Sequence, residues 1–216
     1  MIAVRFAMIN LILLRHGQTN WNKEGRYQGQ IDTDLSDLGK EQAKKLALAL
    51  KNIQIDFFIA SPLKRAYETA CESAKFHNKE VLKDERLLEI NHGTWEGRLS
   101  SEIEQDLLKK WKQTPHLVKM PNGESLEDIL NRVKLAINDY ITKYDGKTIA
   151  VFAHDAVNKV IISHLLNAPL SSFWNITQDN TCINVLEISN DLAKIITLNN
   201  TNHLGYLYSK EIQLGL

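Results

Sequence analysis

Cysteine is scarce in this chain, neither sign of charge is in excess, and no apolar run is long. Each shortage excludes a class of protein. The two cysteines, Cys71 and Cys182, lie far apart, so there is neither a disulfide framework nor a cysteine-rich metal site. A reduced, cytoplasmic compartment is the expectation. Lys+Arg and Asp+Glu number 26 each, and a neutral chain lacks the basic footprint that nucleic acid requires, though a small basic pocket is compatible with that balance. The stretch from Phe6 to Leu14 is too short to span a bilayer, lacks a small-residue cleavage site and ends in Arg15-His16, so neither a signal peptide nor membrane association is expected. No repeat, low-complexity tract or Gly/Ser linker divides the sequence, and no heptad or strand-pairing signal sets an oligomeric state. With 216 residues, 44% of them hydrophobic, the chain suits one domain over 1–216 with a sizeable core. Met1 to Ala7 reads as an extension before the first strand.

What is present is an alternation of strands and helices. Ile9 to Leu14 reads as a buried strand, followed by a polar loop over 17–34. Ser36 caps a helix to about Asn52, with Ala43, Leu46, Ala47 and Leu50 on one face. Phe57 to Ala60 is a second strand. Ser61 as cap and Pro62 at the first helical position open the next helix, which runs to about Lys75. Glu80 to Lys83 reads as a third strand. A lid-like excursion over 91–123 is irregular apart from a short helix from Ser101 to Trp111. Glu124 to Tyr144 is the clearest helix, its apolar residues repeating at helical spacing. Thr148 to Ala153 is a strand, Asp155 to Leu166 a helix, and Cys182–Ile188 with Ala193–Leu198 a hairpin turning at Asn190-Asp191. The pattern predicts an α/β protein whose mostly parallel sheet is covered on both faces and gains an antiparallel edge strand from the hairpin.

Four polar positions follow a buried strand or open the helix after it: Arg15-His16, Arg65, Glu89 and His154. In a parallel sheet such ends share one edge, so these residues can converge on a ligand. Two guanidiniums would neutralise a phosphate dianion, an imidazole could attack phosphorus, and a carboxyl could protonate the departing oxygen. Flanking arginines disfavour a charged His16, which preserves its lone pair, and a bound dianion would favour the protonated form of Glu89. Each residue also has an ordinary use. Arg65 could bridge to Glu68 one helical turn on, Glu89 could be a solvated loop acid, and His154 could simply end a strand. A zinc site of His16, His154 and Glu89 is disfavoured by the neighbouring arginines and the absence of HExxH spacing.

The order and spacing of these motifs resemble the histidine phosphatase superfamily, which includes the cofactor-dependent phosphoglycerate mutases. The resemblance rests on Leu14-Arg15-His16-Gly17-Gln18-Thr19-Asn20-Trp21-Asn22, Gln28-Gly29, Leu35-Ser36 with Gly39, and Ser61-Pro62-Leu63-Lys64-Arg65-Ala66. It continues through Glu89, Gly93-Thr94-Trp95-Glu96-Gly97, Gly123-Glu124-Ser125 and Ala153-His154, nearly the whole chain. It implies a three-layer α/β/α sandwich with no metal and no cofactor. His16 is implied as the phosphorylated nucleophile and Glu89 as proton donor. Arg15, Arg65 and His154 are implied as phosphate ligands, with Asn22 and Gln28 assisting. One position departs from the pattern: Asp155 stands where the family usually has glycine, so its carboxylate must point away from the dianion or cap the helix.

A phosphatase lets water take the phosphoryl group, whereas a mutase excludes water, so enclosure discriminates between them. The excursion looks shorter than a mutase lid and is similar to that of the broad-specificity and α-ribazole phosphatases. A phosphatase acting on a small phosphomonoester is therefore expected, ahead of a phosphoglycerate mutase and of a non-catalytic phospho-ligand-binding member, which would typically lack the nucleophile or the acid. Trp95, Trp111 and His116 could line a pocket for the leaving group or pack beneath the lid.

Overall fold

The computed structural model describes residues 7–190 and 192–208. Met1 to Phe6 of the expected extension, and Asp191 of the expected hairpin turn, lie outside them. Six strands form one sheet: β1 (Met8–Arg15), β2 (Phe57–Ala60), β3 (Val81–Lys83), β4 (Thr148–Ala153), β5 (Ile183–Ser189) and β6 (Ala193–Asn200). Their order is β3-β2-β4-β1-β5-β6. The first four run parallel, β5 pairs antiparallel with β1, and β6 pairs antiparallel with β5. The hairpin thus adds two strands, and β5, one in from the edge, runs against the others.

Among the described residues, six α-helices accompany the sheet: α1 (Asn20–Glu24), α2 (Asp37–Leu50), α3 (Lys64–Ala74), α4 (Gln105–Gln113), α5 (Leu126–Lys143) and α6 (Asp155–Leu165). The apolar run of β1 accounts for three layers. Successive side chains of a strand point to opposite faces. Leu11 and Leu13 pack with Ile129 and Val133 of α5 and Val160 and Ile161 of α6, whereas Ile12 and Leu14 pack with Leu46 and Leu50 of α2 and Ala70 of α3. β4 divides the same way, sending Ile149 and Val151 to the first cluster and Ala150 and Phe152 to the second. Both faces need cover, so Leu11 to Leu14 and Ile149 to Ala153 are apolar without a break.

Three local expectations are corrected. Ser61 and Pro62 do not open α3, which begins at Lys64 after Leu63, a residue with no capping side chain. The Ser61 hydroxyl lies 2.8 Å from His154 Nε2, and Asp32 Oδ1 instead accepts the Lys64 N–H at 2.7 Å. The loop after β1 contains α1, too short to show a period and held by a reciprocal Thr19–Asn22 capping box. α4 starts four residues later than expected because Glu104, not Ser101, supplies the cap, with Leu108 and Trp111 turned into the core.

The crossovers place the site. From β1 the chain passes through α2 on one face to β2; from β4 it passes through α6 on the other face to β5. β1 and β4 are neighbours, with Leu14 opposite Phe152 and Arg15 opposite Ala153. Connections that leave adjacent strands in opposite directions open a crevice at their C-terminal ends.

Candidate active site

His16 and His154 are the residues immediately beyond β1 and β4, and they stand at that crevice. The His16 N–H donates to Ala153 O (3.1 Å), and the two imidazole rings are 5.2 Å apart. Both are buried. Nδ1 of His16 lies 2.7 Å from Gly17 O. A carbonyl only accepts, so the proton sits on Nδ1 and Nε2 carries the lone pair. Burial, then Arg65, then Arg15 hold the His16 pKa well below the imidazole norm. Burial outweighs the arginines invoked from sequence. His154 is depressed by the same leading cause, and its Nδ1 has no hydrogen-bond partner.

Arg65 leaves the first turn of α3 and is fully buried. It makes no bridge to Glu68. Its Nη1 donates to Ile31 O (3.0 Å) and its Nη2 to Gly29 O (2.7 Å). Carbonyls fix the guanidinium without cancelling its charge. Burial, with a smaller push from Arg15, pulls its pKa down to about 10, while Glu89 and Asp32 oppose the fall. Gly29 has φ +54, and a Cβ there would meet Glu96 Oε1 at 2.0 Å, so the turn that presents this carbonyl requires glycine. Arg15 Nη1 donates to Gln178 O (2.5 Å) and lies 3.7 Å from Asp155 Oδ1. The Asp155 carboxylate does not cap α6; its other oxygen meets Lys159 Nζ at 2.7 Å.

Glu89 is 5% exposed and so is not a solvated loop acid. It is reached through the 3-10 turn Glu85–Leu87 rather than from a strand end. Its Oε1 accepts the Ile90 N–H (2.9 Å), while burial and then Asp155 raise its pKa. Its backbone carbonyl accepts from Gln30 Nε2 (3.0 Å) and from Arg132 Nη2 (3.3 Å) on α5. Arg132 thus steadies the acid's segment.

Arg15, His16, Asn22, Gln28, Arg65 and Glu89 line one narrow cleft, with Gly29 and His92. His154 stands against the His16 ring at its inner end. Gln28 Oε1 accepts the Thr19 and Thr33 hydroxyls (2.8 and 2.7 Å), so the amide's donor end is the one left over. Asn22 Oδ1 likewise accepts the Thr19 N–H (3.0 Å). All seven residues singled out from sequence meet here.

His92 went unread in the sequence because it lies in irregular chain away from any strand end. It is buried, its pKa is pushed down to about 3 by burial and Arg65, and its Nδ1 has no partner. Trp95 and Trp111 pack in the core beneath the excursion, and His116 is exposed, so none of the three lines the cleft.

A family model for the histidine phosphatase superfamily (branch 1) matches residues 11–201. The chain belongs to that superfamily. This histidine phosphatase is 40% identical over 204 residues to phosphoserine phosphatase 1 of Hydrogenobacter thermophilus, covering 93% of the chain and 97% of the relative. Its fold is similar to a phosphoserine phosphatase mutant of Entamoeba histolytica solved in complex with phosphoserine (TM-score 0.83, 31% identity, 91% and 99% of the two chains). It is also similar to a putative α-ribazole-5′-P phosphatase of Escherichia coli (TM-score 0.82, 27% identity, 89% and 96%). It is a phosphatase of this superfamily, built on a mostly parallel six-stranded sheet.

Proposed function

We propose that this phosphatase cleaves a small phosphomonoester of the phosphoserine type through a phosphohistidine at His16. The observation that carries the reading is the His16 tautomer, with Nδ1–H spent on Gly17 O and a lone pair at Nε2 beside two buried arginines. Nε2 attacks phosphorus as the bond to the ester oxygen breaks. Arg15, Arg65 and His154, with the amides of Asn22 and Gln28, hold the phosphoryl oxygens and the charge that develops on them. Glu89, kept protonated by its surroundings, gives its proton to the departing oxygen. The resulting carboxylate then takes a proton from water, which displaces the phosphoryl group from Nε2 and restores both residues.

A phosphoserine-type substrate is supported by the relatives of that name. His92, with an unpartnered nitrogen, is the cleft group that remains for the non-phosphate part. The whole chain acts as one domain, with 91–123 as a lid too short to exclude water. The free thiols of Cys71 and Cys182 fit a cytoplasmic setting, and among the described residues no helix is long and apolar enough to cross a membrane.

A panel of phosphomonoesters assayed for phosphate release tests the reading. Phosphoserine is expected to give the highest kcat/KM. Efficient interconversion of 2- and 3-phosphoglycerate with little free phosphate would establish a mutase instead.

A further inference from the structure

A carboxylate is a costly neighbour for a pocket that must attract a dianion, yet Asp155 sits fully buried directly after His154. Helix polarity favours an acid in the first turn of α6. That preference does not account for Lys159 one turn on, which is 4% exposed, forms an ion pair with Asp155 Oδ2 at 2.7 Å without hydrogen-bond geometry, and lies 4.9 Å from the centres of both the Phe173 and Trp174 rings. A buried ammonium capped by two rings is itself expensive unless its partner is held for a purpose. The partner's other oxygen faces Arg15 Nη1 at 3.7 Å, too long for a hydrogen bond and close enough for charge to act. Arg15 is anchored separately through Gln178 O, and the Gln178 side chain is fixed by Asn184 (2.9 Å). The carboxylate is therefore not needed to hold the guanidinium in place.

We propose that Asp155 is a positioning residue that trims the positive field of the phosphate pocket through Arg15, with Lys159 locking its carboxylate in that role. The inference rests on the reading of the cleft as the phosphate site. A pocket with two buried arginines and no opposing charge would retain inorganic phosphate after hydrolysis. One carboxylate behind Arg15 weakens that grip and favours release. The same charge is felt across the cleft at Glu89, where it follows burial among the causes that favour the protonated acid.

The test is the competitive inhibition constant of inorganic phosphate at pH 7.5, measured alongside its direct binding by calorimetry. Asp155→Asn adds one net positive charge and is expected to tighten phosphate by about tenfold, an order-of-magnitude figure for one partly screened charge. Lys159→Met removes one and is expected to weaken phosphate by several-fold. The double variant restores the balance and is expected to return within about twofold of the unaltered enzyme. If Asp155→Asn does not fold, Lys159→Met and the double variant carry the same test. Weaker or unchanged phosphate binding in Asp155→Asn, or a double variant no closer to the unaltered enzyme than either single one, would overturn the proposal. A carboxylate that only steadied the first turn of α6 would lower Tm and leave that order of constants absent. Failure of phosphate to compete with substrate in the unaltered enzyme is a different result, and it overturns the reading of the cleft as well.

Discussion

Two cavities among the described residues, one large and one much smaller, arrange their charges differently, and the smaller is the proposed site. The larger, about 520 Å³, lies at the β3 edge among Asp84, Arg86, Asp139, Tyr140 and Lys143. There the guanidinium is paired with carboxylates: Arg86 bonds to Asp84 at 2.7 Å and to Asp139 at 2.5 Å, and Tyr140 donates to Asp84 at 2.7 Å. In the cleft at the β1 and β4 ends, Arg65 donates to two backbone carbonyls, which take hydrogen bonds and leave the charge intact. On the proposed reading, a guanidinium held by carbonyls rather than by a carboxylate, and not volume, marks the place where a dianion binds.

Four substitutions or treatments break or sharpen that contrast. His16→Ala should lower turnover of p-nitrophenyl phosphate by at least about 10³-fold, the scale for loss of a nucleophile, with an unchanged circular dichroism spectrum. Arg65→Lys should cost about 10²-fold in kcat/KM, because a point charge cannot reproduce two fixed donors aimed at carbonyls and a charge aimed at the cleft. Arg86→Lys, the same exchange in the larger cavity, should stay within about threefold, and equal losses from the two would erase the distinction between the cavities. Glu89→Gln should slow alkyl phosphates by about 10²-fold and p-nitrophenyl phosphate only a few-fold, since a good leaving group departs without a proton. Uniform slowing would deny Glu89 the role of acid.

The pH dependence of stability gives the smallest effect. His16, His92 and His154 all have folded pKa values below the usual imidazole range, His92 near 3. The unfolded chain therefore binds more protons below about pH 6.5, and stability falls as pH drops through that point. Each histidine contributes up to about 1.4 kcal/mol per pH unit there. No histidine lines the larger cavity, so His92→Phe should flatten the acid limb of denaturant unfolding while Arg86→Lys leaves its slope unchanged.

The strands and long helices were legible because their cause is local. β1 and β4 carry unbroken apolar runs, Leu11 to Leu14 and Ile149 to Ala153, since both faces are covered there, and α5 repeats its apolar residues because one stripe faces the core. Ser36 was readable as a cap since its hydroxyl accepts the Gly39 N–H in the same turn (3.0 Å). Gly39 itself answers a close approach, as a Cβ there would meet Gln18 O at 1.9 Å. What escaped has distant causes. Ser61 looks like a cap and is used by His154, and the cap of α3 comes from Asp32 across the loop. His92 and Arg132 join the site through folds of irregular chain and through α5, and neither carries a strand-end signal. Glu89 reads from the sequence as a strand-end acid, yet the turn Glu85–Leu87, not a strand, delivers it.

Trapping the phosphoenzyme tests the central claim most directly. Acid-sensitive phosphohistidine can be preserved by quenching labelled substrate turnover into alkali and mapping the label by mass spectrometry. One phosphoryl group per chain on His16 Nε2, absent from His16→Ala and longer-lived in Glu89→Gln, is the result expected. A label on another residue, or active turnover with no phosphorylated intermediate under any quench, would contradict it.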